Sequence, residues 1–487
     1  EDSIDKTLIS NIRLTPKDKY ALGFDLNVSQ SNIQSLGLSF SSSIFVRNVF
    51  QGAETLQISA FGSIGSSKDG SNLSDKFFDI NEIGADIKIL FPRFFSPFNT
   101  DRLIPRYMSP TTVVNFSISG QTNIGLDKQT ANGIFSYNWK PVENKKYTID
   151  LLNIQYVRNL NPNNYFKVYQ SSFNRLEDIA LNFNQVPNNY IFTNAFGENS
   201  LISEFTDDTI DFLISNLNFE ENYPENFKAI NSINQRKNRL TQNNLIFSTN
   251  ISFTRDTKKN VNDENFSLFK FKFELAGNLL SSIAKTINLS TNNNQKFEIF
   301  NVEYSQYLKS EIDYARHWKF NNTSILAIRS YLGFAIPYGN SDYIPFSKSF
   351  FAGGANDNRA WTAYNLGPGS SISNNEFNEA NLKIAFNIEH RFNLFNKFKG
   401  AFFIDSGNIW NINDNTSDQR AIFSSIKSLK DIAIGAGFGI RYDLGFFILR
   451  TDIGFKVYDP EIINSNRWLQ NTSFNKAVYN VGINYPF

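Results

Sequence analysis

A single arginine, Arg359, lies near the middle of a Gly-rich stretch that runs from Phe350 to Ser371. The stretch is too polar for a strand and too bulky for a simple turn, whereas the segments around it alternate apolar and polar residues. This pattern predicts a long loop, over residues 339–376, that folds back into the lumen of a β-barrel with Arg359 as its anchor. The alternative is a solvated arginine at a loop tip.

An arginine inside a barrel needs an acidic partner, because an unpaired buried charge is very costly. Glu389 falls on the same face of its predicted strand as Lys383, which we take to be the lumen face. Asp405 alternates with Ile404, whose side chain suits lipid. A guanidinium between two carboxylates can hydrogen-bond in a fork geometry that lysine cannot reproduce. We therefore predict that Arg359, Glu389 and Asp405 form a lock that holds the loop in the lumen.

The sequence carries no motif of an enzyme. It has no cysteine and only two histidines, which lie far apart, and it lacks a nucleophile elbow, a zinc-protease helix and a phosphate-binding loop. Asp414 and Asp418 lie in a polar loop, but this loop lacks the glycine and the glutamate of a high-affinity calcium site. We predict no catalytic residue, metal or cofactor. A net charge of +1 gives no reason to expect nucleic-acid binding.

The elements that must position these residues alternate apolar and polar side chains with a period of two, as half-buried strands do. Aromatic residues make up 15% of the 487 residues, yet the mean hydropathy is −0.33, which suits a protein that is apolar on one surface and wet on the other. No run of about 18 apolar residues exists, so no transmembrane helix is predicted. The predicted strands lie near 20–29, 36–44, 55–66, 79–91, 111–120, 132–140, 146–159, 245–253, 269–275, 297–311, 318–335, 382–389, 399–410, 432–443, 446–458 and 476–487.

Sixteen strands with alternating apolar and polar residues predict an all-β fold. The predicted architecture is a 16-stranded antiparallel transmembrane β-barrel of the bacterial outer membrane, over residues 20–487. The alternative, a large soluble sandwich or propeller, would expose fewer aromatic side chains. Residues 1–19 are polar and are interpreted as a connector. Four charged residues on the predicted lumen face are interpreted as part of a water-lined interior of mixed charge rather than as substrate contacts: Arg441, Arg450, Asp452 and Lys456.

The period-2 pattern fades between 161 and 243, which we interpret as a long extracellular loop of the barrel. One helix is predicted there. Thr206 is its predicted N-cap, and acidic residues follow in the first turn. Its apolar stripe is expected to pack on the body of the loop itself and consists of Ile210, Leu213, Ile214 and Leu217.

Four sequence motifs, in order along the chain, resemble those of the BamA/TamA outer-membrane protein assembly superfamily. F-F-A-G-G-A-N-D-N-R-A-W (350–361) resembles the motif of its sixth loop, and N-V-F-Q-G-A-E (48–54) resembles an early turn. F-F-I-D-S-G-N-I-W (402–410) and G-A-G-F-G-I-R-Y-D-L-G-F-F-I-L-R-T-D (435–452) resemble later strands. The run L-G-P-G-S (366–370) looks most like the TamL-type branch. The last strand also resembles an outer-membrane sorting signal, since aromatic residues alternate up to Phe487.

This resemblance implies a barrel that inserts or translocates other outer-membrane proteins without a cofactor. The expected partners are the lipid bilayer, substrate outer-membrane or surface proteins, and periplasmic or outer-membrane accessory proteins. The loop anchor would comprise Arg359, Trp361, Gly353 and Gly354, held by Glu389 and Asp405. A lateral seam would open between the first and last strands, at Tyr20 and Gly23 on one side and Gly482 and Phe487 on the other.

The chain departs from the family pattern at two places. Ala360 stands where the family usually has glycine, so we expect the tip of the loop to differ locally. The family also carries periplasmic repeat domains before the barrel. Residues 1–19 are interpreted as a connector to such domains, which this sequence does not contain; the alternative is a chain that works without them. Two other functions remain open: a secretion pore of the same superfamily with one dedicated passenger, and a passive diffusion channel.

Overall fold

A computed structural model describes residues 13, 15, 17–29, 34–67, 80–123, 126–183, 186–193, 197–260, 263–292, 295–321, 323–371, 378–413, 416, 418–445, 447–462 and 466–487. The strands within these residues are, in chain order, β1 (Tyr20–Ser29), β2 (Gln34–Arg47), β3 (Thr55–Ser67), β4 (Ile80–Phe91), β5 (Thr111–Asn123), β6 (Leu126–Val142), β7 (Lys145–Asn159), β8 (Ile191–Thr193), β9 (Asn199–Leu201), β10 (Asn244–Asp256), β11 (Ser267–Ala276), β12 (Glu298–Ile299), β13 (Val302–Ser305), β14 (Tyr307–Asn321), β15 (Ser324–Pro337), β16 (Leu382–Phe395), β17 (Phe398–Trp410), β18 (Ala433–Asp443), β19 (Ile448–Tyr458), β20 (Trp468–Asn471) and β21 (Val478–Ile483). The helices are α1 (Tyr165–Val168), α2 (Gln170–Phe183), α3 (Thr206–Ser215), α4 (Leu217–Asn222), α5 (Pro224–Thr241) and α6 (Asn278–Thr286).

The long strands form one antiparallel meander. Each strand from β1 to β7 pairs with the next, and the order continues through β10, β11 and β14. From β14 to β19 every strand again pairs with its successor, and β21 pairs with β19. Most connections at one end are short and most at the other are long, so the barrel has a turn end and a loop end. The connection between β4 and β5 is the long one at the turn end.

Alternation of side chains gives the wall two different surfaces, as strand geometry requires. Large apolar residues are exposed on the outer face, for example Leu22 and Phe24 on β1 and Phe402 on β17. The inner face carries buried polar residues such as Ser43 and Glu274. An apolar outside around a polar inside is the arrangement of a transmembrane barrel. In the described part of the chain, no helix is long and apolar enough to cross a membrane.

Every predicted strand overlaps a strand of the structure, but β6 and β16 are longer than predicted, and the short β8, β9 and β20 were not predicted. Two regions differ further. The region predicted as strands over 297–311 and 318–335 contains the short β12 and β13 and then the long pair β14 and β15. The last strand was predicted over 476–487, but β21 ends at Ile483. The predicted total of sixteen stays a prediction, since the described residues contain 21 assigned strands, several of them too short to span a bilayer.

The insertion between β7 and β10 is a small helical unit rather than a loop with one helix. Helices α1 to α5 enclose a common apolar core. Ile210 and Leu213 of α3 lie in that core, as predicted, but Leu217 is exposed at the start of α4. Thr206 lies inside the helix, and its hydroxyl donates a hydrogen bond to the carbonyl of Ser203 instead of capping α3. The apolar core also receives Ala363 and Tyr364 from the segment between β15 and β16.

Candidate functional site

The segment between β15 and β16 bends tightly at two glycines. Gly353 and Gly354 have φ angles of 91° and 100°, which favour glycine. A Cβ on Gly353 would lie 2.2 Å from the carbonyl oxygen of Thr362. The Gly353 amide donates to Asp357 Oδ2 at 2.8 Å, and the Gly354 amide donates to the Trp361 carbonyl at 2.8 Å. These contacts fold the loop into a compact hairpin with Arg359 near its tip.

Arg359 is fully buried and is bound by the two predicted acids. Its Nε and Nη2 donate to the two carboxylate oxygens of Asp405 at 2.7 and 2.9 Å, and its Nη1 donates to Glu389 Oε2 at 2.5 Å. The Arg359 backbone amide also donates to Asp405 at 3.1 Å. The guanidinium lies 3.5 Å from the centre of the Phe403 ring. This contact set fixes both the position and the orientation of the arginine.

The acids come from neighbouring strands whose register places them side by side. Asn387 of β16 is opposite Asp405 of β17, and Glu389 is opposite Phe403, two residues along. The Asn387 side-chain amide donates at 2.9 Å to Asp405 Oδ1, the oxygen that also accepts from Arg359 Nη2. Period-2 phase is therefore sufficient to bring Glu389 and Asp405 to the same side of the wall.

The ionic cluster is larger than the sequence predicted. Glu389 also pairs with Arg391 at 2.7 Å and Arg441 at 3.1 Å. Asp452 pairs with Arg441 at 2.6 Å and Arg450 at 2.8 Å. Arg441, Arg450 and Asp452 have the predicted mixed charge, but the prediction that water lines them is wrong, because all three are buried. Lys456 differs, since it is partly exposed and pairs with Asp459.

The residues next to Arg359 fit against glycines of the wall. Trp361 is buried in an apolar cluster with Phe350 and other loop residues, and Lys456 Nζ lies 5.0 Å from its ring centre. Ala360 does not have a positive φ. Its methyl group and backbone pack against Gly435 and Gly454, where any Cβ would clash with residues 359 and 360. Alanine is therefore accommodated at the position where the family usually has glycine.

The predicted seam residues lie at the two ends of the meander. Tyr20 and Gly23 are in β1, and Gly482 is in β21. Phe487 does not continue the outward-facing alternation that the sequence predicted. Asn484 has a φ of 62°, and the chain beyond it turns towards the lumen.

Inside the barrel, Tyr485 and Phe487 pack against Arg391. Its guanidinium carbon lies 3.8 Å from the Tyr485 ring centre and 5.8 Å from the Phe487 ring centre, and its Nη2 donates to the Phe487 carbonyl at 3.4 Å. The cation–π contacts and the hydrogen bond from Arg391 stabilise this turn more than continued strand pairing would. The alternation of aromatics gave no sign of this turn.

The last strand is also tied to the loop, which sequence reasoning missed. Asn480 Nδ2 donates to the Arg359 carbonyl at 2.9 Å. A Cβ on Gly482 would lie 2.6 Å from Arg450 Nε, so the strand lies directly on that guanidinium. The signal in the sequence was the polar and small character of Asn480 and Gly482 between the outward residues of β21.

The polar loop after β17 is described only in part. Asp414 lies outside the described residues, and Asp418 accepts a hydrogen bond from the Arg420 amide at 3.0 Å. Within the described residues, no group of three or more His, Cys, Asp or Glu side chains is placed to hold a metal ion.

Comparison with known proteins gives a family match and fold-level similarities. The Omp85 superfamily domain matches residues 11–468. BamA from Haemophilus ducreyi lacking POTRA domains 1–3 has 10% identity and a TM-score of 0.51, and the match covers 96% of this chain and 70% of that chain. CdiB from Acinetobacter baumannii has 8% identity and a TM-score of 0.41, covering 95% of this chain and 65% of that chain. No curated protein matches the sequence.

Proposed function

The chain belongs to the Omp85 superfamily, and from that premise we propose that it is an outer-membrane protein that inserts or translocates other proteins through a lateral seam between β1 and β21. One observation carries the proposal. Within the described residues, β1 pairs with β2 and β21 pairs with β19, and no ladder joins β1 to β21.

An unpaired strand edge presents backbone N–H and C=O groups that can bind an incoming strand. β21 has only six residues, and Pro486 beyond it has no amide hydrogen to donate. The turn of Tyr485 and Phe487 towards Arg391 takes these residues away from β1. A substrate strand could therefore pair with β1 along most of its ten residues. Such exchange needs neither a nucleotide nor a metal.

The contents of the lumen argue against a passive diffusion channel. The loop that carries Arg359 lies inside the barrel, and the helical unit packs on it through Ala363 and Tyr364. A solute entering from the loop end would meet this helical unit first. The expected partners are the bilayer, unfolded outer-membrane or surface proteins, and accessory proteins that deliver them.

The seam can be tested with cysteine pairs, because the chain has no native cysteine. Leu22→Cys or Phe24→Cys on β1 is combined with Tyr479→Cys or Val481→Cys on β21, and the pairs are joined by a flexible bis-maleimide in cells. We expect cross-linked protein to lose its ability to support growth or substrate assembly, because the seam can no longer part.

The matched control moves the link by one strand. Leu22→Cys with Ile44→Cys joins register partners of β1 and β2 and leaves the seam free. This variant should retain activity after cross-linking. Full activity of the β1–β21 cross-linked protein would rule out the seam mechanism.

Depletion of the full-length protein distinguishes the role within the superfamily. Folded outer-membrane barrels are counted by their heat-modifiable migration in gels. A broad loss of folded barrels indicates a general insertase. Loss of one or a few surface proteins indicates a specialised TamL-type role, and loss of a single exported passenger indicates a secretion pore.

A further inference from the structure

A segment at the turn end, Pro92–Met108, leaves the barrel wall and folds back over its outer face. We call it the strap. The Phe95 amide donates to Thr112 Oγ1 at 2.8 Å, and the Tyr137 hydroxyl donates to the Phe95 carbonyl at 2.7 Å. Thr112 and Tyr137 are register partners on β5 and β6. They share the outward phase of Phe116, which is exposed, so the strap lies against the lipid-facing side.

Aromatic packing and one ion pair hold the strap in this place. Phe94 lies 4.7 Å from Tyr137 and 5.9 Å from Trp139, and Phe95 stacks on Phe91 at 4.9 Å, between ring centres. Arg93 pairs with Glu54 at 3.2 Å.

Glu54 belongs to the N-V-F-Q-G-A-E turn that the sequence singled out. Burial opposes its charge, but backbone amides and Arg93 outweigh that effect and hold the pKa of this carboxyl below its ordinary value. The turn motif therefore supplies the carboxylate that holds the start of the strap through Arg93.

The strap presents apolar side chains away from the protein. Phe98, Leu103 and Tyr107 are all largely exposed. Arg102 and Arg106 are exposed beside them, with Asp101 as the acidic residue of the same stretch. Exposed large apolar groups interleaved with arginines are typical of segments that lie in a lipid–water interface.

A row of aromatic rings on the neighbouring wall bears on which partner covers this surface. From the strap, ring contacts continue along the outer face through Trp139, Tyr147, Phe253 and Phe269, near the turn ends of β6, β7, β10 and β11. Such belts lie at the boundary between headgroups and acyl chains. A bilayer that reaches this belt must also reach the strap, because Phe94 is part of the same row of rings.

We propose that the strap is an interfacial membrane anchor, with Phe98, Leu103 and Tyr107 in the boundary layer of the leaflet at the turn end. Arg102 and Arg106 bind the phosphates of its phospholipid headgroups. The inference goes beyond insertion or translocation, since it concerns how one flank of the barrel, β3 to β6, is fixed in the membrane.

The test compares two positions of nearly equal exposure on the protein surface. Leu103 is 82% exposed in the strap, and Ile426 is 80% exposed in the connection between β17 and β18, at the loop end. Each is replaced by cysteine (Leu103→Cys, Ile426→Cys), labelled with a polarity-sensitive dye, and reconstituted as the full-length protein in vesicles. Folding is verified by heat-modifiable migration.

We expect the dye at position 103 to be blue-shifted, several-fold brighter and quenched by lipids that carry a quencher in the upper acyl chain. The dye at 426 should show none of these effects. If the dye at 103 behaves like that at 426, the membrane anchor is wrong, and the strap is open to a soluble periplasmic partner.

A second measurement tests the arginines. Replacing phosphatidylcholine by phosphatidylglycerol should draw the strap deeper and increase quenching at 103, and the double variant Arg102→Gln, Arg106→Gln should abolish this dependence. An unchanged dependence in the double variant would overturn the assignment of the phosphate contacts to these two residues.

Discussion

The proposed seam lies between the first and last strands, β1 and β21, which are held in different ways. β1 forms ten register pairs with β2, and its outward residues Leu22, Phe24 and Leu26 are exposed. Towards the lumen, Gly23 faces the Phe45 ring, and Asp25 accepts one hydrogen bond from Ser41 at 3.3 Å. The first strand is therefore held mainly by its backbone ladder.

β21 has a shorter ladder but far more support from inside the barrel. It forms six register pairs with β19. Asn480 binds the carbonyl of Arg359, Gly482 lies on Arg450, and the following residues lie on Arg391. All three arginines belong to the buried ionic cluster, which links the last strand to the loop anchor.

This difference teaches that the seam has one fixed side and one movable side. Buried charges permit few alternative arrangements, because each displaced ion loses its partners in a low-dielectric interior. A backbone ladder can open pair by pair from its end. We therefore expect β1 to move when the seam parts, while β21 remains with the loop.

The largest expected effect is that of Arg359→Ala. It leaves the Asp405 carboxylate without its cation and removes the contact that orients the loop under β21. Breaking a buried ion pair costs about 3–5 kcal/mol. The free energy of unfolding in lipid or detergent, followed by heat-modifiable migration against urea, should fall by that amount. Hydrogen exchange should rise in 478–483 and remain unchanged in 20–29.

The control for this change is Arg420→Ala, which removes an exposed pair with Asp418 and should cost less than about 1 kcal/mol. Arg359→Lys keeps the charge but not the fork, so it should recover only part of the stability. Wild-type stability and activity of Arg359→Lys would contradict the lock.

Much of the anchor could be predicted from sequence because strands impose a strict phase. Glu389 and Asp405 follow from alternation within β16 and β17, and the register of the two strands brings them together. The resemblance of residues 350–361 to a family motif supported the prediction that this loop folds into the lumen. Outward and inward faces of most strands followed from the same rule.

The rest depended on contacts that no local pattern encodes. The ionic cluster joins the loop to β16, β17, β18 and β19. Two of its paired members, Arg359 and Asp452, lie about ninety residues apart in sequence. The pattern over 297–311 mixes two short strands with the start of β14, so its period could not place the boundaries. The helical unit is specified by a core that five helices share, and no single amphipathic stripe encodes that shared core.

An intermediate effect is expected for Arg391→Gln. It removes the surface on which Tyr485 and Phe487 lie, but Glu389 keeps two other arginines. We expect a loss of about 1–3 kcal/mol, from one charged hydrogen bond and the ring contact. Hydrogen exchange over 478–487 should approach the rate seen over 20–29. Arg316→Gln is the control, since Arg316 binds Asn265 at the same end of the barrel. Unchanged hydrogen exchange over 478–487 would mean that the ionic cluster does not stabilise the last strand.

The smallest effect comes from a matched pair of glycines, one on each side of the seam. A Cβ at Gly482 would lie 2.6 Å from Arg450 Nε, and a Cβ at Gly23 would lie 2.8 Å from the edge of the Phe45 ring. Arg450 cannot move freely, because it is bound to Asp452 and to the Ala355 carbonyl at 2.8 and 2.9 Å. Gly482→Ala should therefore cost about 1 kcal/mol of unfolding free energy, as overpacking does.

At Gly23 the clash is with the far end of a side chain that can turn aside, so Gly23→Ala should change stability by less than about 0.5 kcal/mol. Both variants are measured in one urea titration of the reconstituted barrel. The two substitutions add the same methyl group to a strand at the same seam, so their difference isolates how firmly each side is held. Equal losses would mean that β1 is restrained from the lumen as strongly as β21. A larger loss at Gly23 would reverse the assignment of the fixed side and the movable side.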